Sequence, residues 1–160
     1  MNAILTKLNL GTLGAVHVVD APESFEPVLA DAAEGGIAVS RTLAGGDHAD
    51  VRFALAFATT KAQVDAFAAA VASSTTGDAV VWIAYPKGSS KRYTCEFNRD
   101  TGWDTMGDAG FEPVRQVAID DDWSALRFRR AEFITSWTRS FAYSALGKRR
   151  LAEAQAAREG

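Results

Sequence analysis

The stretch Ala79-Val80-Val81-Trp82-Ile83-Ala84-Tyr85 is almost wholly apolar and runs straight into Pro86-Lys87-Gly88. It is too short for a helix of ordinary length and rich in β-branched and aromatic residues, so it is predicted to be a strand. No polar residue alternates with the apolar ones, which means that both faces must be covered. That is the pattern of the centre of a parallel sheet with helices on its two sides.

Just upstream, Thr60 and Gln63 have the spacing of a capping box, and Val64, Phe67, Ala68 and Val71 form one apolar helical stripe. Ser73 to Gly77 reads as the turn between this helix and the central strand. Further upstream, Ala15-Val16-His17-Val18-Val19-Asp20 is a second β-branched run that suits a strand buried on both faces. Residues 23–34 follow as a helix. Glu23 and Glu26 lie in its first turn, Phe25, Val28, Leu29 and Ala32 lie on one face, and Gly35-Gly36 stops it. Strands are predicted at Ile37–Leu43 and Val51–Ala58. The link between them, residues 44–50, is too short to contain a helix. Two arrangements stay open there, a tight crossing beneath the sheet or an antiparallel pair.

Downstream, Asp100 is placed to cap a short helix that carries Trp103 and Met106 inward, and Gly110 to end it in a left-handed turn with Phe111 just beyond. Val114–Ile119 and Ser124–Arg130 read as an antiparallel hairpin around Asp120-Asp121-Asp122. Leu126 and Phe128 alternate with Arg127 and Arg129, the pattern of a charged edge strand. Residues 131–160 are helical by composition, and Phe133, Trp137 and Phe141 recur every four residues as a stripe for core packing or a twin subunit. The expected fold is therefore α/β: a three-layer, Rossmann-like domain over residues 1–130 with a mostly parallel sheet and a C-terminal antiparallel hairpin, then a helical tail over 131–160.

Composition narrows the function classes. The net charge of -3 over 160 residues, 48% of them hydrophobic, argues for a folded domain and against a nucleic-acid binder, which is normally basic. The tail carries five Lys/Arg against three Asp/Glu, hence +2, leaving -5 on residues 1–130. A single cysteine, Cys95, excludes an internal disulfide and a cysteine-based zinc cluster. Met1–Leu10 lacks the pattern of a secretory signal, and no apolar run approaches membrane-span length. A cytoplasmic protein with no membrane association is expected.

In sheets of this kind ligands bind beyond the carboxyl ends of the strands. The first such loop, Asp20-Ala21-Pro22, has no glycine and leads into an acidic helix turn, which disfavours close approach of a phosphate. The loop Lys87–Arg92 is the opposite: three cations, two hydroxyls and a glycine after the central strand, with Arg99 nearby. Asp20, Lys87, Ser89, Ser90, Lys91, Arg99 and Trp123 are the candidate ligand-binding residues, for a small phosphate or carboxylate held by charge-assisted hydrogen bonds. The alternative is that these cations are solvated or pair with Asp120–Asp122. The three aspartates themselves read as a polar turn rather than a Mg²⁺ site, because adjacent side chains seldom converge on one centre. His17 reads as a hydrogen-bonded core residue and His48 as an exposed loop residue. No nucleophile elbow occurs, and Cys95 has no base visible near it in sequence.

The segments Asp20-Ala21-Pro22-Glu23, Trp82-Ile83-Ala84-Tyr85-Pro86-Lys87, Asn98-Arg99-Asp100 with Gly102-Trp103, and Val114 through Phe128 resemble a small bacterial family of unknown function. Its members look like shortened relatives of S-adenosylmethionine-dependent methyltransferases, and the resemblance covers roughly residues 14–130. Such methyltransferases hold their cofactor on a glycine-rich loop after the first strand and an acidic residue at the end of the second. Here those places hold Asp20-Ala21-Pro22 and Arg41-Thr42-Leu43. The resemblance thus implies the fold and transfers no activity. With no cofactor loop, metal cluster or nucleophile, the expectation is a non-catalytic module without a cofactor, which binds a small anionic ligand or a protein partner. The tail helix would mediate a homodimer. The alternative is a divergent methyltransferase or other group transferase working at the Lys87–Arg92 edge.

Overall fold

A computed structural model of the chain describes residues 2–43, 51–98, 100–135 and 141–159. His48 and the rest of the 44–50 link, Arg99 and Trp137 lie outside the described residues. The apolar run forms β4 (Val80–Pro86), and it lies inside a six-stranded sheet. The other strands are β1 (Ala15–Val19), β2 (Ala38–Ser40), β3 (Phe53–Phe57), β5 (Phe111–Ala118) and β6 (Trp123–Arg130), in the order β2-β1-β3-β4-β6-β5. β2, β1, β3 and β4 run parallel; β6 pairs antiparallel with β4, and β5 with β6. This is a Rossmann-like α/β architecture, a mostly parallel sheet with a C-terminal antiparallel hairpin, as expected.

The strand order resolves the two arrangements left open for residues 37–58. β2 and β3 do not pair with each other; both pair parallel with β1, one on each side. The chain therefore crosses β1 between them.

Alternate residues of each strand feed two cores. On one face Val16, Val18, Phe53, Leu55, Phe57, Trp82 and Ala84 pack against α1 (Ala3–Lys7) and against α2 (Glu26–Glu34) with the 3-10 turn that precedes it. Trp82 is wholly buried there, and its indole N–H donates to the Leu8 carbonyl at 2.7 Å. On the other face Ala54, Ala56, Val81, Ile83, Leu126 and Phe128 pack against Val64, Phe67, Ala68 and Val71 of α3 (Lys61–Ser74) and against α4 (Asp104–Asp108). Each large apolar side chain buried in this way contributes about 1.5–3 kcal/mol. The capping box is present: Thr60 Oγ1 accepts from the Gln63 amide, and Gln63 Oε1 accepts from the Thr60 amide.

Several sequence expectations are corrected. β1 is covered on one face only, because Ala15 is exposed and His17 and Val19 are half-buried. On that side Val19 packs only partly against the core that α3 covers. His17 is accordingly not a core residue, although its Nδ1 lies 3.3 Å from the Thr42 carbonyl oxygen. Asp100 is not the cap of α4; the helix starts after Trp103, whose burial against Tyr85, Phe97 and Phe128 places it. Gly110 does adopt φ +95 ahead of the buried Phe111. The charged strand β6 is internal, and β5 is the edge, since the hairpin turns back to pair with β4. Pro113 beside a register shift suits that edge position.

The tail is not one helix. A 3-10 turn spans Ala131–Phe133, and α5 runs over Ala145–Glu159. Phe133 and Phe141 therefore both lie outside α5. The tail is fastened instead through Glu112, a fully buried carboxylate that accepts from the amides of Tyr143 and Ser144 and from the Ser144 hydroxyl.

Candidate functional site

The carboxyl ends of β1, β3 and β4 and the β5–β6 turn lie along one rim of the sheet, as parallel strands require. At the end of β3, Thr59 and Thr60 lead into α3, whose first open amide would be a natural place for an anion. That place is taken: Lys61 N donates to Glu96 Oε2 at 2.9 Å, and Glu96 N donates back to the Thr59 carbonyl at 3.0 Å. The loop after β4 is thereby tied to the start of α3. Lys61 Nζ reaches Asp65 at 2.9 Å and Asp104 at 3.2 Å, and Thr105 Oγ1 donates to Asp65 at 2.7 Å. The Lys61 ammonium, followed by the Thr105 hydroxyl, lowers the Asp65 carboxyl below its usual range. Asp65 and Asp104 raise Lys61 above its own.

The loop after β4 is built around one hydroxyl. Ser90 Oγ donates to Asp122 Oδ1 at 2.8 Å and accepts from the amides of Arg92 at 3.3 Å and Tyr93 at 3.2 Å. Lys87 N donates to the Asp122 carbonyl at 2.7 Å. Asp120 turns its carboxylate onto the amides of Asp122 and Trp123, at 2.8 and 2.9 Å. The three aspartates thus form a self-bonded polar turn. Among the described residues no group of three His, Cys, Asp or Glu converges as metal ligands would.

Under this loop lies a cavity of about 720 Å³. Its walls are Pro86–Ser90 and Tyr93–Asn98, and its floor is Tyr85, Gln116 and Ser124. The Tyr85 hydroxyl donates to Gln116 Oε1 at 3.0 Å. Tyr85 and Phe97 meet at a tilt with ring centroids 5.9 Å apart, and Tyr93 meets Trp123 at 4.8 Å. Lys87 is the cation of the lining, and the structure pairs neither it nor Lys91 nor Arg92 with the acidic turn. Cys95 lines the same cavity, and burial raises its thiol pKa, which keeps it protonated and a poor nucleophile.

A second cavity, of about 370 Å³, lies where the strand order reverses between β1 and β3. Val19, Asp20, Thr42 and Leu43 line one side, and Phe57, Gln63 and Phe67 line the other. Asp20 is left-handed at φ +58, a conformation that Asp tolerates better than most residues, and its Oδ2 accepts from Gln63 Nε2 at 3.4 Å.

The residues singled out in the sequence are therefore divided. Lys87, Ser89 and Ser90 line the larger cavity, although the Ser90 hydroxyl is committed to the loop itself. Asp20 lies in the smaller one, and Lys91 is exposed within the loop, outside the cavity lining. Trp123 is 3% exposed, behind Tyr93 and edge-on to Phe57 at 5.0 Å, so it supports the wall rather than lining it. Sequence reading missed Tyr93, Thr94, Phe97 and Asn98, which follow the basic loop, and Gln116 and Ser124, which the hairpin register brings in.

No protein-family model and no curated protein matches the chain. It is similar in structure to a SAM-dependent methyltransferase from Aquifex aeolicus, at 13% identity and a TM-score of 0.48, over 76% of this chain and 72% of that one. It is similar to the pyocyanin biosynthetic protein PhzM at 14% identity and a TM-score of 0.47, over 81% of this chain and 54% of that one. A third similar structure concerns the conversion of a disulfide bond into a thioacetal group during echinomycin biosynthesis. It matches at 14% identity and a TM-score of 0.44, over 95% of this chain and 85% of that one.

Proposed function

We propose that the chain is a non-catalytic binding module whose ligand is a small organic anion, seated in the cavity beyond β4 with its acid group on Lys87 and Ser89. The observation that carries this is the cavity itself. Its volume of about 720 Å³ falls in the range of about 300–1,000 Å³ typical of small-molecule sites. One cation, aromatic rings from Tyr93 and Phe97, and neutral polar groups from Thr94, Asn98 and Gln116 suit an acid with an apolar body. The groups nearby that could perform chemistry are engaged otherwise: Cys95 stays a thiol, and the Glu96 carboxylate is bonded to α3.

The test is thermal shift and calorimetry with aromatic carboxylates and sugar phosphates, on the wild type and on Lys87→Gln. A ligand at a hundred times its Kd stabilises by about 2.7 kcal/mol, which raises Tm by about 5–11 °C in a domain of this size. The bound ligand should also slow alkylation of Cys95 by N-ethylmaleimide. A shift that survives in Lys87→Gln, or none with any compound, refutes the site.

The competing reading is a divergent S-adenosylmethionine-dependent methyltransferase, favoured by the cavity at the strand-order reversal, where α/β sheets usually bind ligands. The residues there do not fit that cofactor. The loop after β1 is Asp20-Ala21-Pro22, with no glycine. The end of β2 offers no acid, and Arg41 is clamped on Glu26 by two bonds of 2.6 Å. Calorimetric titration with S-adenosylmethionine decides: micromolar binding lost in Asp20→Asn would replace the first reading with this one.

A further inference from the structure

Arg127 stands out on the sheet face opposite α3. In β6 it lies in one cross-strand row with Trp82 of β4 and Arg115 of β5. Arg115 is directly opposite it, so their Cβ atoms are about 5 Å apart. Arg129 follows on the same face, two residues along the strand and about 7 Å away. Like charges placed directly opposite in a sheet repel. Yet three arginines are gathered here.

Their partners are unequal. Arg129 is neutralised by Asp78, with bonds of 2.8 Å from Nε and 2.6 Å from Nη2. Glu112, opposite Arg129, gives its carboxylate to the amides of Tyr143 and Ser144. Arg115 lies over the Trp82 ring at 5.6 Å and donates to the Lys7 carbonyl at 2.9 Å, which fixes its guanidinium without cancelling its charge. Lys7 Nζ is held nearby on the Ala118 carbonyl at 2.7 Å. Arg127 has no such anchor. It is half-buried, its Nε–H is shut off from solvent without an acceptor, and the structure gives it no ion pair. Burial first, and the charges of Arg129 and Arg115 after it, lower its affinity for its own proton against the opposing charge of Asp78.

An isolated guanidinium in this position costs stability, because a desolvated donor is left unpaired beside like charge. An oxyanion between Arg115 and Arg127 would remove both costs. The charge selects the anion. Two guanidinium groups without an ion pair of their own match the double charge of a phosphate monoester, and their planar forks match its oxygens. We infer that the Arg115–Arg127 row is a second ligand site, separate from the cavity beyond β4, that holds the phosphate group of a small phosphorylated molecule.

Inorganic phosphate is the probe, against chloride at equal ionic strength. The Nε–Hε cross-peak of Arg127 in a ¹H–¹⁵N spectrum should move saturably with phosphate and stay still with chloride. Phosphate should raise Tm in the wild type and in Lys87→Gln, and not in Arg127→Gln. In phosphate-free buffer Arg127→Gln should melt no lower than the wild type, since it sheds an unpaired charge. Arg127→Lys, which keeps the charge and loses the fork, should weaken phosphate at least tenfold. Equal response to chloride, a phosphate shift retained in Arg127→Gln, or a lower Tm of that variant without phosphate would overturn the site. Loss of the response in Lys87→Gln would move it to the cavity instead.

Discussion

Replacing Glu112 by Gln is the sharpest test of how the tail belongs to the fold. The side chain is wholly buried in β5. Both its oxygens accept from the Tyr143 amide at 3.0 Å, and one also accepts from the Ser144 amide at 2.7 Å and from the Ser144 hydroxyl. Ser144 in turn accepts from the Gly147 amide at 2.9 Å, so the carboxylate anchors the first turn of α5. Glutamine keeps the shape but turns one acceptor into a donor aimed at donors. Hydrogen bonds to a charged group contribute about 1.5–3 kcal/mol each, and losing one side of this set should cost about 3 kcal/mol. In a domain of this size that lowers Tm by about 6–12 °C. Circular dichroism gives the midpoint, and amide exchange should show Tyr143 and Ser144 losing protection ahead of β4. A second route leads to the same place. A Cβ on Gly107 would overlap both the Cβ and the carbonyl oxygen of Tyr143, so Gly107→Ala must push that segment off α4. Because both changes break one docking contact, the double variant should lose less than the sum of the singles. A Tm of Glu112→Gln within 2 °C of the wild type, or exchange that rises uniformly, would refute this account.

Ser90→Ala removes the hydroxyl that bonds Asp122 and the amides of Arg92 and Tyr93; it should cost about 1–2 kcal/mol by chemical denaturation and weaken any ligand held on Lys87, while an unchanged stability would show that the loop is held elsewhere. The hydrogen bond from Arg129 lowers the Asp78 carboxyl against the opposing effect of burial, so the pair contributes fully above the ordinary carboxylate pKa of about 3.9 and is lost as pH falls through the lower folded value. Asp78→Asn should therefore melt lower at neutral pH and show a shallower loss of Tm below pH ~4; parallel curves for variant and wild type would contradict the assignment.

The helices and strands were legible where one side-chain pattern had one physical meaning. The Thr60–Gln63 capping box, the α3 stripe, the β4 run and Gly110 all act within a few residues of themselves, and all recur in the structure. Patterns that depended on what lay across space were misread. β1 looks buried on both faces because Ala and Val are neutral as to which side is covered, and only the neighbours leave Ala15 exposed and Val19 half-buried. The Phe133–Phe141 spacing is that of a helix, yet Glu112 pulls Tyr143 and Ser144 against β5 and α5 starts after them.

For the candidate sites the same division holds. Chain order alone brought Lys87, Ser89 and Ser90 to the end of the central strand, since a loop after a parallel strand must open at that rim. Gln116, Ser124 and the Arg115–Arg127 row depend on hairpin register, and a slip of one residue would turn each to the other face. Composition and periodicity are short-range quantities, and they suffice for a parallel α/β frame with a basic loop at its rim. Pairing across strands, and the use of Glu112 as an internal anchor, are long-range contacts fixed only when the whole sheet closes.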